Sequence, residues 1–342
     1  MDNMKAAVLK APHQPLSIED APTPSMGRGD ALVRVAACGV CSTDLHFVHG
    51  TPTYKKPPLI LGHEISGIVE EVGDEAATVR KGERVLVPPI IYCGRCRNCR
   101  EGRDNVCENM LMVGSYVDGG FAEYISVPAH VLIKLPDSIP LHEGAIISDA
   151  VSTAFHAVKQ RGEVRPGEWA AVFGCGGVGI NVVQIAAASG ASVIAVDVDE
   201  RKLELARRLG AVEALDGRDP ELAKKIRSLT GGGVDVAFEV VGRPAVMDGA
   251  FESVKVGGRM VVVGYSMENW NFRVGRLMFR ELKLIGSFGC RSTDYSPLLR
   301  MFEKGRLRLN EIVTEKLRLE EINEALKRLE EGRVVGRQVV II

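Results

Sequence analysis

The stretch from Glu168 to Asp197, EWAAVFGCGGVGINVVQIAAASGASVIAVD, admits few folds. EWAAVFG (168–174) is an apolar run of strand length, GINVVQIAAASG (179–190) has a helical pattern, and ASVIAVD (191–197) is a strand again. Two buried strands joined by one helix through a glycine turn close as a parallel βαβ unit. Gly174, Gly176 and Gly179 fit G-x-G-x-x-G, with Gly177 and Val178 completing the turn. Glycine permits the tight turn and a close backbone approach, and the first N–H groups of the helix face a pyrophosphate. Asp197 closes the second strand, where a carboxylate accepts hydrogen bonds from ribose hydroxyls and repels a 2′-phosphate. No arginine follows it directly, so the expected cofactor is NAD rather than NADP. The competing reading is a glycine turn beside a solvated aspartate, and the flanking strand and helix weigh against it.

The same rhythm continues to about residue 287. DERKLELARRLGA (199–211) is an amphipathic helix, and VDVAFEVVG (234–242), GGRMVVVGY (257–265) and LKLIGSF (282–288) are further apolar strands. Such alternation predicts an α/β domain, a doubly wound parallel sheet covered on both faces, over 151–287. Residues 1–150 read differently. ALVRVAACGV (31–40), ISGIVEEVG (65–73) and RVLVPP (84–89) are short strands punctuated by Gly and Pro, as in an all-β or irregular α+β domain. A charged helix, LEEINEALKRLEEG, and a strand, VVGRQVVII, follow late in the chain.

A length of 342 residues suits two domains. A formal net charge of −1, without a Lys/Arg block, speaks against nucleic-acid or anionic-membrane partners. MDNMKAAVLKAP lacks the apolar core of a signal peptide, and no apolar run approaches the ~20 residues of a membrane span. A cytoplasmic protein is expected.

Four of the eight cysteines fall within IYCGRCRNCREGRDNVC (91–107): Cys93, Cys96, Cys99 and Cys107. Thiolates on such a tight turn converge on one tetrahedral zinc, and four sulfur ligands leave no position for substrate. Bacterial iron–sulfur runs begin alike but continue x3-C-P, whereas here seven residues intervene and Glu108 follows. Disulfides are the alternative, disfavoured in a reducing compartment. Upstream, GVCSTDLH (39–46) and LGHEISG (61–67) carry Cys41 and His63, a thiol and an imidazole suited to zinc. Spacing alone does not pair them, since a single Cys or His is as readily core.

Together, GVCSTDLH, GHE, the four-cysteine lobe and FGCGGVG resemble the zinc-containing medium-chain alcohol dehydrogenase family, in order along nearly the whole chain. The resemblance implies a GroES-like, partly β-barrel catalytic domain over 1–150 and 288–342, with a structural zinc lobe near 90–110, joined to a Rossmann NAD-binding domain over 151–287. It implies two zinc ions per chain. One would be structural. The other would be catalytic, on Cys41, His63 and Asp149, the last in IISDAVSTAFHAV. An aspartate before such a helix would equally serve as its N-cap. Glu64 takes the place of an exchanging ligand or a carboxylate just outside the ligand set.

By the same resemblance, Thr43 bonds the reacting alcohol and His46 ends the proton path, as a titrating imidazole can and a hydroxyl cannot. Lys202 is expected at the adenosine ribose, Arg337 at the pyrophosphate, and Asp44 behind a zinc ligand. Ser42 departs from members with a basic residue there. Ile90, Ile91, Ser115, Tyr116 and Tyr265 are candidate walls of an apolar-to-mixed substrate pocket. The implied reaction is reversible hydride exchange between NAD and a primary or secondary alcohol, aldehyde or ketone. A polyol or other secondary-alcohol dehydrogenase is the first alternative. The zinc-free quinone and enoyl reductases lack both metal motifs. A non-catalytic nucleotide-binding protein is the alternative of another class, but no ligand or relay position is broken here. A homodimer or homotetramer is expected, with VVVGYSMENWNF (261–272) and LKLIGSF as candidate contact edges.

Overall fold

The computed structural model describes residues 3–342 and divides into two compact units. The first comprises Met1–Ser152, Gly289–Glu303 and Val313–Ile342; the second comprises Thr153–Phe288 and Lys304–Ile312. The return of Lys304–Ile312 to the second unit departs from the expected boundary. Leu307 and Leu309 are buried there, and the Arg308 N–H donates to Gln184 Oε1 at 3.0 Å.

The second unit is built on six parallel strands in the order Ala211–Asp216, Ser192–Asp197, Trp169–Phe173, Val234–Glu239, Val254–Val262 and Lys283–Gly286. The chain starts in the middle, winds outward to one edge, then returns to build the other, as in a doubly wound sheet. Val172, Ile194, Val236 and Val261 are wholly buried, which explains the unbroken apolar runs of the central strands. Ala211–Asp216 was not foreseen. It is an edge strand with Val212 and Glu213 exposed, so it lacks an apolar run.

In the first unit, a seven-stranded sheet runs Ile133–Lys134, Arg84–Val87, Glu64–Val72, Asp30–Gly39, Arg337–Ile341 and Val313–Arg318, with Tyr124–Pro128 also on Asp30–Gly39. Three-stranded and two-stranded sheets complete it. Register is what matters for chemistry. Gly39 pairs with Glu64 and with Val339, and the Val40 N–H donates to the Gln338 carbonyl at 3.0 Å. Three strands therefore bring Cys41, His63–Glu64 and Arg337 to one end of the sheet. Gly39 is required there, because a Cβ at 39 would lie 2.1 Å from Glu64 Oε2.

Candidate metal centre and dinucleotide cradle

Ligand atoms of Cys41, His63, Glu64 and Asp149 all lie within 4.8 Å of one another, inside the first unit. Three segments supply the four. Cys41 is the N-cap of the helix Ser42–Val48, and its N–H donates to Asp44 Oδ2 at 2.9 Å. The other Asp44 oxygen accepts the Gly62 N–H at 3.2 Å and lies 3.4 Å from His63 Nδ1. His63 Nε2 faces Asp149 Oδ2 at 3.4 Å. Asp44 thus claims one ring nitrogen and leaves the other for the cluster, the carboxylate–histidine arrangement of zinc sites. Asp149 stands at the joint between the 3₁₀ turn Ala145–Ser148 and the helix that opens at Ala150.

The charge of this cluster is unbalanced. Burial alone would push the His63 imidazole down, yet Asp44, then Asp149 and Cys41, lift it well above its ordinary value. Where a thiol and carboxylates draw a proton onto a buried imidazole, a cation is in demand. One sulfur, one nitrogen and carboxylate oxygen form a donor set that fits zinc.

Glu64 is wholly buried, and the Arg337 guanidinium grips it, Nε to Oε2 at 2.9 Å and Nη2 to Oε1. Burial pushes the Glu64 carboxyl up and Arg337 pulls it back. Arg337, expected at the pyrophosphate, is 4% exposed and gives Nε and Nη2 to this pair. A buried carboxylate left without a cation is strongly unfavourable, which accounts for the placement. Thr43 and His46 lie on the same helix. The Cys41 thiol stands 3.6 Å from Thr43 Oγ1, and His46 is half-buried, its pKa lowered by burial and then by His49.

Cys93, Cys96, Cys99 and Cys107 also converge within 4.8 Å, and all are free thiols. Cys96 Sγ is 3.4 Å from Cys99 Sγ and 3.9 Å from Cys107 Sγ, beyond any disulfide. Backbone N–H groups point at the sulfurs: Cys93 to Cys107 at 3.3 Å, Cys96 to Cys93 at 3.4 Å, Asn109 to Cys107 at 3.3 Å. Such donors, from Arg95 and Cys96, hold the Cys93 thiol down at about 6, while burial pushes Cys99 up to about 12. A cluster in which some thiols ionise readily and others resist fits a dication that ionises all four.

In the second unit, Gly174 has φ +96° and ends its strand, and Gly179 opens the helix Gly179–Ala188. A Cβ at 179 would lie 1.8 Å from the Gly174 carbonyl oxygen, so the turn itself demands glycine there. A Cβ at 176 would meet nothing within 4 Å. The chain's own packing does not explain Gly176; a ligand resting on that turn does, which fits a pyrophosphate. Gly177 and Val178 complete the turn, and Asn181, unforeseen, donates to the Gly177 carbonyl at 2.7 Å. Asp197 Oδ2 accepts the Cys175 N–H at 2.7 Å, and Oδ1 accepts those of Val198 and Asp199 at 2.8 and 3.0 Å. The carboxylate is pinned at the rim and half-exposed, and Lys202 lies on the next helix, Glu200–Arg208.

The expected pocket walls divide. Ile90, Ile91 and Ser115 are buried in the first unit, Tyr116 stacks on Tyr54 with ring centroids 3.7 Å apart, and Tyr265 is 53% exposed in the second unit. Ile90 lines a small cavity with Tyr92, Asp104, Cys290, Ser292 and Tyr295.

Residues 27–137 match the family described as "Alcohol dehydrogenase GroES-like domain", and residues 177–304 match "Zinc-binding dehydrogenase". An alcohol dehydrogenase of Geobacillus stearothermophilus is 37% identical over 98% of this chain and 99% of its own. The chain belongs to the zinc-type medium-chain alcohol dehydrogenase family. It is an oxidoreductase of that family, with the GroES-like and Rossmann folds that family combines. A sorbitol dehydrogenase of Bacillus subtilis (strain 168) is 34% identical over 95% of this chain and 93% of its own. A solved structure described as an NAD-dependent alcohol dehydrogenase superposes with TM-score 0.93 at 31% identity, covering 99% of this chain and 100% of that one. Among the described residues, no helix is long and apolar enough to cross a membrane.

Proposed function

We propose that this protein exchanges a hydride between NAD and the carbinol carbon of a primary or secondary alcohol, with zinc held by Cys41, His63 and Asp149. The observation that carries the reading is the convergence of those ligand atoms, with Glu64, within 4.8 Å. When bound, zinc supplies Lewis acidity to the alcohol oxygen and NAD accepts or returns the hydride. The chain's own residues do the rest. Asp44 fixes the ring nitrogen that His63 offers. Thr43 Oγ1 would take the alcohol proton as it gives up its own, and His46, on the same helix, would accept the proton at the end of the path and release it to water. Glu64 with Arg337 tempers the field behind the ligands. Gly174, Gly176, Gly177, Val178 and Gly179 cradle the pyrophosphate. Asp197 takes the ribose hydroxyls and Lys202 flanks them. Arg201 is ion-paired to Asp199 at 2.7 Å, which favours NAD over NADP and agrees with the NAD-dependent neighbour. Cys93, Cys96, Cys99 and Cys107 hold a second, structural zinc.

A polyol is the second reading, favoured by the sorbitol dehydrogenase relative. The buried, apolar Ile90 and Ile91 support simple alcohols instead. We further place the protein in the cytoplasm, in keeping with its eight free cysteines. A homodimer or homotetramer is supported by the exposed Met278, Phe279 and Leu284 beside and on the edge strand Lys283–Gly286. The test is metal content per chain alongside NAD reduction over an alcohol and polyol panel. Two zinc ions with turnover are expected. One zinc and no turnover on any substrate would overturn the reading.

A further inference from the structure

Asp149 joins a 3₁₀ turn to an α-helix, with φ −136° and ψ −67°, so the carbonyls on either side stand at a break in the helical ladder. An outside donor takes up the first of them. The Tyr295 phenol, 2% exposed, donates to the Ser148 carbonyl at 2.6 Å. Ser152 Oγ completes the knot, 3.3 Å from Tyr295 Oη, 3.1 Å from the Ser148 carbonyl oxygen and 3.2 Å from that of Asp149. The peptide plane that leads into Asp149 is thus held by a side chain 147 residues away.

Tyr295 is itself pinned. Ser292, three residues before it, donates through its N–H to Asp104 Oδ1 at 3.0 Å and through its hydroxyl to Asp104 Oδ2. Between them, Asp294 receives the Arg291 guanidinium at 2.7 Å. Asp104 is 6% exposed and lies in the four-cysteine lobe, on the turn Asp104–Val106 just before Cys107. The lobe is therefore tied through Asp104 to Ser292 by hydrogen bonds, from Ser292 to Tyr295 by three residues of backbone, and from the Tyr295 phenol to the carbonyl before Asp149 by a hydrogen bond. All of these residues belong to the first unit.

We propose that Tyr295 is a positioning residue for Asp149, and that Asp104 ties it to the four-cysteine lobe, so that the lobe strengthens the open centre's hold on its metal. This rests on the reading of Asp149 as a ligand. Neither Tyr295 nor Asp104 is among the four residues whose ligand atoms converge. Their effect is on how well one ligand is aimed, and partners of this kind typically change metal affinity about 10–100-fold.

The test follows zinc release from the fully loaded protein into a chromogenic chelator, with the visible spectrum of the cobalt-exchanged protein as a second signal. Tyr295→Phe is expected to speed release from the open centre about tenfold or more, leave release from the lobe unchanged, and shift the cobalt spectrum. Asp104→Ala is expected to act in the same direction, and the double variant to go little beyond Tyr295→Phe, because the two act through one path. Release from Tyr295→Phe at the native rate overturns the proposal, as does a double variant in which the two effects multiply. Should Tyr295→Phe not fold, Ser292→Ala removes one hydroxyl from the tie and gives the same readout, with a native rate again overturning it. Asp149→Ala separates the two levels. If it keeps the open-centre zinc at the native rate, the ligand assignment fails; if it loses the ion while Tyr295→Phe does not, the positioning role fails.

Discussion

Asp44 carries three duties with two oxygens: it caps Cys41, holds the Gly62 N–H and faces His63 Nδ1. Asp44→Asn keeps the shape but turns one acceptor into a donor. Zinc affinity at the open centre is expected to fall about 10–100-fold, measured by competition with a chelator, with the lobe's zinc retained. Cys41→Ala should abolish turnover while circular dichroism stays native. As the proposed end of the proton path, His46 would supply the pH dependence. Burial, then His49, lowers its pKa, so the folded state favours the neutral ring. Alcohol oxidation needs that neutral base. The acid limb of kcat/KM is therefore expected below the unperturbed histidine value of about 6.5, with activity falling as pH drops through it. The stability link has the same sign. Below about 6.5 the unfolded chain binds more protons at this residue than the folded one, so stability is whole above that pH and declines beneath it. His46→Gln should remove the limb and lower oxidation about 10²-fold.

At the scale of elements, two glycines of one turn predict opposite outcomes. Gly179→Ala drives a Cβ to 1.8 Å from the Gly174 carbonyl oxygen and should lower Tm. Gly176→Ala meets no protein atom within 4 Å, so Tm should hold while the Kd for NAD rises, read by calorimetry. Equal Tm losses would count against a ligand on this turn. The glycine turn and the cysteine lobe were legible in the sequence because each is local: strand, turn and helix are contiguous, and four thiols sit on one short loop. Cys41 and His63 meet through strand register and Asp149 joins them from the end of a 3₁₀ turn far along the chain, so only their likeness to a known family joined them. Arg337 with Glu64 escaped that route too. Their chain separation is 273 residues, and nothing in GHE or GRQ tells a buried pair from two solvated charges. The edge strand Ala211–Asp216 stayed hidden because an edge need not be apolar on both faces.

Across the whole molecule, two metal centres of different make predict an order of loss. The lobe offers four sulfurs and is closed; the other mixes sulfur, nitrogen and carboxylate oxygen. Under chelation, activity is expected to vanish first at nearly native Tm, and Tm to fall only as the lobe empties. Cys96→Ser should reproduce that second stage alone, with lower Tm and less zinc per chain. Simultaneous loss of activity and Tm would mean the centres are not separable in this way.

The Arg337–Glu64 pair also has a bearing on biosynthesis. The strand Asp30–Gly39 and its partner Glu64–Val72 are made early, but the guanidinium that neutralises Glu64 emerges only with the last strand, Arg337–Ile341. Until the ribosome has passed residue 337, the early strands hold a carboxylate with no counter-ion, and the sheet lacks the strand that covers Gly39. Domains fold as they emerge. This one cannot close its sheet until Arg337–Ile341 has been made, so the proposed open centre becomes competent for metal only after the glycine turn of the other unit has been synthesised.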